Sequence, residues 1–263
     1  METANRLNLK AIAAGHFSGF VEVISKLARS PAKFDLVAAP ANSGTILSYL
    51  FGEIYRQFNR IAPQALVLPI FTPYRFSEIA AGAELPFDHG ALVDQAAAQL
   101  SRIKNLRTVI FLDDEVGHGT AFRSTMEVLL AAARQARKHG PRSCLIVAET
   151  NGLGWLYTFP PLEVQFEAFA LRPDYSVSGT FFEIVPDELI RSIQAIFPEL
   201  DRKAAIATAL GLPIKQLSGR RPELTDTYLR RIREMQPDYE KNREALTNFF
   251  QTKIQSELTR LRK

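Results

Sequence analysis

The segment Thr108-Val109-Ile110-Phe111-Leu112 is a continuous apolar run with almost no alternation. A strand of that kind is covered on both faces, the situation of a parallel sheet sandwiched between helices. Three further runs share the pattern: Phe34–Ala39 ending at Pro40, Ala65–Ile70, and Ser143–Ala148. The stretches Leu7–Leu27, Thr45–Phe58, Ala91–Ile103 and Thr120–His139 space their apolar residues three and four apart, which predicts helices. Gly140-Pro141 closes the last of them. Strand and helix thus alternate, and the expected fold class is α/β, a parallel sheet flanked by helices.

Past Ala148 the pattern thins. Trp155–Phe159, Val164–Leu171 and Thr180–Val185 are aromatic and β-prone, and read as strands at an edge or in a flap. From Pro186 the character changes. Asp187–Phe197, Arg202–Leu210, Glu223–Met235 and Tyr239–Leu261 all read as helix. A boundary near Val185 divides the chain into an α/β domain, 1–185, and a helical C-terminal extension, 186–263. Leu246, Phe249, Phe250, Ile254 and Leu258 line one face of the last helix, which packs on the core or on a partner subunit, so a homodimer is one expectation. Lys203–Leu217 outlines helix, glycine turn and helix, the shape of a DNA-reading motif, with Arg220 and Arg221 nearby for phosphates. Gly-Leu-Pro also ends many ordinary helices, and a nucleic-acid partner is the weaker reading.

Apolar residues form 46% of the 263, enough for a full core. The net charge of +4 is uneven: residues 201–263 hold 14 Lys and Arg against 8 Asp and Glu. Such a surplus marks either an anionic partner or a solvated helical face. The single Cys144 rules out an internal disulfide. The N-terminus begins polar, without the apolar core of a secretion signal. No apolar stretch nears the ~20 residues that cross a bilayer. A soluble, cytoplasmic protein with no membrane partner is expected.

The chemistry concentrates in Val109–Arg123. After the apolar run come Asp113-Asp114-Glu115-Val116-Gly117-His118-Gly119-Thr120-Ala121-Phe122-Arg123. In open α/β sheets, ligands bind at the carboxyl ends of the strands, where this acid pair falls. Gly117 and Gly119 let the backbone turn sharply and approach a ligand. The free N–H groups at the following helix start favour an anion, and the Thr120 hydroxyl adds a donor. Carboxylates beside a phosphate cradle would repel the phosphate, so they must face another part of the ligand. Ribose hydroxyls or a hydrated Mg2+ suit them. An acid pair after a strand also occurs in receiver and phosphatase-like folds, but Asp-x-Asp followed by Gly-Thr is absent here.

This segment resembles the 5-phosphoribosyl 1-pyrophosphate (PRPP) motif of type I phosphoribosyltransferases, and is most similar to the orotate type, whose loop ends Gly-Thr-Ala, here Gly119-Thr120-Ala121. The resemblance covers residues 34–150. It implies that Asp113 and Asp114 hold the ribose hydroxyls and, through water, Mg2+. It implies that Glu115, Val116, Gly117, His118, Gly119, Thr120 and Ala121 cradle the 5′-phosphate. It further implies a pyrophosphate loop at Ala41, Asn42, Ser43 and Gly44, a flap within Phe71–Gly90 carrying Arg75 toward the reacting centre, and base recognition near Trp155 and Tyr157. Gly117 replaces a common threonine, and Ser43 stands where many members carry a basic residue. The implied activity is Mg2+-dependent transfer of a 5-phosphoribosyl group from PRPP to a nitrogen nucleophile of a nucleobase-like acceptor. The alternative is a non-catalytic PRPP or nucleotide sensor that binds DNA or a protein through its C-terminal helices.

Overall fold

The computed structural model describes residues 16–71, 87–116, 119–149, 165–171 and 181–263. Five parallel strands form the main sheet: β1 (Leu36–Pro40), β2 (Gln64–Leu68), β3 (Thr108–Glu115), β4 (Ser143–Glu149) and β5 (Gln165–Leu171). Their order is β2-β1-β3-β4-β5. The α/β class expected from the strand–helix alternation is what the chain adopts.

The continuous apolar strands are buried on both faces. Val37 and Ala39 of β1, Ile110 and Leu112 of β3, and Leu145 and Val147 of β4 enter one core cluster. Leu36 and Ala38, Val109 and Phe111, and Cys144 and Ile146 enter the other. This split is the two-residue period of a strand written into two cores. Helices α1 (His16–Arg29) and α2 (Ser43–Arg56) cover the first face. Helices α3 (His89–Leu100) and α4 (Thr120–Gln135) cover the second. After β1 the chain crosses to β2 through α2, whereas after β3 it crosses the other way, to β4, through α4. Right-handed crossovers in opposite directions must use opposite faces, as these do. The two directions part between the carboxyl ends of β1 and β3, the place where open α/β sheets form their ligand crevice.

The helices of residues 181–263 pack on the α1–α2 face. A short 3-10 turn (Phe181–Ile184) is followed by α5 (Glu188–Ile196), α6 (Arg202–Ala209), α7 (Thr227–Met235) and α8 (Tyr239–Arg260). Phe182, Ile206, Ile232, Phe250 and Ile254 share one apolar cluster with Phe20, Ile46 and Ile110. Phe181 meets Phe20 edge-on, with centroids 5.4 Å apart. Arg202 ties the start of this region together, donating to the carbonyls of Phe182 and Val185 and pairing with Asp187 at 2.5 Å.

Three expectations change here. Of the strand expected over Thr180–Val185, the described residues 181–185 are not a strand: the aromatic pair turns into the core as a 3-10 segment, because burial of Phe181 and Phe182 outweighs their β propensity. The helix expected from Glu223 begins at Thr227. Residues 223–225 instead belong to an antiparallel hairpin, β6 (Ile214–Ser218) with β7 (Arg221–Thr225). That hairpin also removes the helix-turn-helix outline, since Ile214–Leu217 is strand where a second helix would be needed. Its two-residue loop starts at Gly219 with φ +61°, the left-handed geometry glycine accepts most readily. Among the described residues, no helix is long and apolar enough to cross a membrane.

Candidate functional site

The crevice is built from the ends of β1 and β3. β1 ends at Pro40, and a tight loop, with a cis peptide between Ala41 and Asn42, leads into α2 at Ser43. Ala41, Asn42, Ser43 and Gly44 are all buried. Gly44 is required by contact: a Cβ there would stand 2.4 Å from Ala39 Cβ. The first turn of α2 therefore lies directly on β1.

β3 carries Asp113 and Asp114 to the same edge, each only 6% exposed. Ser43 donates through Oγ to Asp113 Oδ1 at 2.8 Å, linking residues 70 apart in sequence. The Asp114 N–H donates to the same oxygen at 3.0 Å. Burial and the neighbouring Asp114 charge push the Asp113 carboxyl well above its usual value of 3.8; the Ser43 hydrogen bond and Lys203 oppose the shift. The Asp113 carboxyl thus holds its proton more tightly than an ordinary aspartate unless a cation or a ligand hydroxyl enters.

A cation does enter. Lys203 of α6 reaches Asp114 Oδ2 with its Nζ at 2.5 Å. Burial alone would lower the Lys203 pKa, but Asp114, then Asp113 and Asp201, raise it overall. Its ammonium also lies 5.9 Å from the centre of the Phe182 ring. From the hairpin, the Lys215 N–H donates to Asn42 Oδ1 at 2.8 Å. Lys215 Nζ donates to the Ile70 carbonyl at 3.1 Å, just past the end of β2, and lies 5.1 Å from the Phe71 ring centre. The hairpin is further stitched beside α3 by Gln95 Nε2 to the Pro222 carbonyl at 2.8 Å, and by Asp88 N–H to the Arg220 carbonyl at 2.7 Å.

The start of α4 forms the other wall. Glu115 is exposed, and Val116 is buried with its N–H on the Glu149 carbonyl at 2.7 Å. Gly119 precedes α4 with φ +73°, and Thr120 and Ala121 open the helix. Neither α2 nor α4 has its first N–H groups capped by the side chain before it. Two uncapped helix starts at one sheet edge can each receive an anionic oxygen.

Of the residues read from sequence, Asp113, Asp114 and Ala41–Gly44 come together in one crevice, with Glu115, Val116, Gly119, Thr120 and Ala121 along the turn that leaves it. Gly117, His118, Arg75, Trp155 and Tyr157 lie outside the described residues. Sequence reasoning missed Lys203 and Lys215, which reach the site from the C-terminal region. Among the described residues, no group of three or more His, Cys, Asp or Glu is arranged to hold a metal by protein ligands alone.

No protein-family model matches the chain, and no curated protein matches its sequence. Solved structures of similar outline include an adenine phosphoribosyltransferase at 12% identity and TM-score 0.31, covering 58% of this chain and 76% of that one. The Saccharomyces cerevisiae adenine phosphoribosyltransferase is similar at 13% identity and TM-score 0.31, covering 58% and 75%. The Thermus thermophilus protein TT1426 is similar at 13% identity and TM-score 0.33, covering 64% and 88%. Likeness at this level assigns neither a substrate nor a residue role.

Proposed function

We propose that this protein is a phosphoribosyltransferase, binding PRPP with Mg2+ and transferring its 5-phosphoribosyl group to a nitrogen nucleophile of a nucleobase-like acceptor. One observation carries the reading: the buried Ser43–Asp113 hydrogen bond joins the Ala41–Gly44 loop to the acid pair at the crevice where the strand order reverses. A ligand spanning the crevice would meet an uncapped helix start at either end and carboxylates between them. A phosphate, a ribose diol and a pyrophosphate match that order.

In the transfer, the acceptor nitrogen's lone pair forms a bond to the anomeric carbon as the bond from that carbon to the pyrophosphate oxygen breaks. The electron pair leaves with pyrophosphate, and the acceptor's N–H proton passes to water. Asp113 and Asp114 accept hydrogen bonds from the ribose hydroxyls and stabilise the positive charge that grows on the ring. The N–H groups at Ser43 and Gly44 receive the leaving group, and Thr120 and Ala121 the 5′-phosphate. Fixed dipoles of this kind act mainly by positioning and by electrostatic stabilisation. Asp113 and Asp114, as hard oxygen donors, would hold Mg2+ through water, and the ion would supply positive charge to offset that of the leaving group. Arg75 is assigned to the reacting centre, and Trp155 and Tyr157 to the acceptor base.

One observation favours a second reading. Lys203 already occupies Asp114 Oδ2, which suits a sensor whose acid pair is closed until ligand arrives. Calorimetry of PRPP with Mg2+ tests the shared site, and pyrophosphate release across a panel of nucleobases separates enzyme from sensor. Micromolar binding that is lost in Asp113→Asn/Asp114→Asn is the expected result. A folded wild type that binds no PRPP would sink the enzyme and the PRPP sensor alike.

A further inference from the structure

The C-terminal hairpin supplies a charge that the β1 loop lacks. Ser43 stands just before Gly44, so the loop presents no cation of its own. Lys215 reaches the same place from 173 residues away, and its backbone N–H is fastened to Asn42 of the loop. Its ammonium is held at the ends of β1 and β2 by the Ile70 carbonyl and the Phe71 ring. Among the described residues, no carboxylate lies within ion-pairing distance of it. Desolvation of the ammonium, with the like charge of Lys203, outweighs the pull of Asp201, Asp113 and Asp114, so its pKa falls below the ordinary lysine value. A partly desolvated cation that meets a neutral carbonyl and an aromatic ring but no ion-pair partner is a costly arrangement. An anion delivered to the loop would offset that cost. In the first turn of α2, Thr45 Oγ1 is also buried and has no hydrogen-bond partner among the described residues.

We infer that Lys215 is the principal cation of a diphosphate subsite, built jointly by the Ala41–Thr45 loop and the β6–β7 hairpin, which receives the pyrophosphate end of the ligand. The inference rests on the phosphoribosyl reading, in which that loop faces pyrophosphate. It makes residues 214–225 part of the binding site and explains the hydrogen bonds that pin the hairpin to Asn42, Asp88 and Gln95. Lys203, held on Asp114, is the neighbouring cation that keeps the acid pair from repelling the same anion.

The test is calorimetric titration of the full chain with two probes, inorganic pyrophosphate and ribose 5-phosphate, both with MgCl2. Wild type, Lys215→Met and Lys215→Arg are compared, with thermal unfolding to confirm that each is folded. The methionine variant keeps the backbone hydrogen bond to Asn42 and most of the packing on Phe71. Loss of one charge-assisted contact should weaken pyrophosphate by about tenfold to a hundredfold in Lys215→Met. Ribose 5-phosphate affinity should stay within about twofold, and arginine should restore most of the loss. Equal weakening of both ligands would overturn the inference, because that is the mark of a structural lysine. Ribose 5-phosphate binding together with pyrophosphate binding that is absent or indifferent to Lys215 would overturn it while leaving the phosphoribosyl reading intact. Lys215-dependent pyrophosphate binding without any ribose 5-phosphate binding would support the subsite and sink the phosphoribosyl reading. Binding of neither probe overturns both.

Discussion

Replacing Gly44 with alanine should damage fold and site together, and the structure sets the size of the effect. The added Cβ would stand 2.4 Å from Ala39 Cβ, 3.0 Å from Ala39 C and 3.2 Å from Ala39 Cα. Ala39 lies in β1, which is bonded on both sides by β2 and β3, so the sheet does not yield. The start of α2 must move instead, by roughly 1 Å, to restore ordinary carbon contact distances. The Ser43–Asp113 hydrogen bond, now 2.8 Å, would then be lost. Overpacking costs ~1–3 kcal/mol and the lost hydrogen bond about 1 kcal/mol more. The expected destabilisation is therefore about 2–4 kcal/mol, read as a fall in the urea midpoint followed by circular dichroism. Gly52 supplies the control. It lies in the same helix, and a Cβ there meets nothing within 4 Å. Gly52→Ala should stabilise the protein by ~0.4–1 kcal/mol through helix propensity and reduced freedom of the unfolded chain. Ser43→Ala isolates the hydrogen bond and should cost about 1 kcal/mol. If Gly44→Ala changes stability by less than ~1 kcal/mol, the close seating of α2 on β1 is wrong.

Lys203→Met leaves Asp114 buried without its partner. Breaking a buried pair costs ~3–5 kcal/mol, but Lys203 is 37% exposed and water screens part of that. The discounted expectation is about 1–3 kcal/mol in chemical unfolding, largely relieved by adding Asp114→Asn; no relief in the double variant would refute the pairing. Stability should also depend on pH through Asp113. Its folded-state pKa is raised, so the native state holds the proton more tightly than the unfolded chain. The stability from this group is fully present below about 3.8 and is lost as pH rises through the folded value. Asp113→Asn should flatten that part of the profile, and an unchanged slope would assign it elsewhere. Phe250→Ala, at a fully buried position whose ring stacks on Phe17 at 6.3 Å, should cost ~3–5 kcal/mol by the same unfolding assay. A cost near zero would mean that α8 is not docked on α1.

The main sheet and the acid pair were legible because the information is local. Continuous apolar runs such as Thr108–Leu112 and Ser143–Ala148 can be satisfied only by burial on both faces, which leaves few architectures open. Asp113 and Asp114 follow one such run directly, so their position at the strand's carboxyl end needed no knowledge of tertiary contacts. The Ala41–Gly44 loop was legible for the same reason. Its bond to Asp113 follows once β1 and β3 are adjacent.

The hairpin was hidden by composition. Ile214-Lys215-Gln216-Leu217-Ser218 and Arg221-Pro222-Glu223-Leu224-Thr225 are short and mostly polar, and only Ile214 and Pro222 are buried. Neither shows the clean alternation that marks a strand. The one readable signal was Ser218-Gly219, a turn dipeptide between two segments of equal length. Treating the basic surplus of residues 201–263 as a property of the surface also concealed the two lysines that reach the acid pair and the β1 loop. Many of those cations are surface charges: Arg230, Arg233, Arg243 and Arg260 pair with Asp226, Glu240 and Glu257 on exposed helices. Net charge cannot distinguish them from Lys203 and Lys215, because the difference lies in which strand ends each one faces. Lys203 is selected by its distance to Asp114, across 89 residues of chain, and Lys215 by its bond to Asn42. A cation reaching a site from so far along the sequence leaves no spacing to read. What the sequence can offer is the complementary sign: if the Ala41–Gly44 loop receives an anion as proposed, Ser43 brings no charge to it, and the cation has to come from another part of the chain.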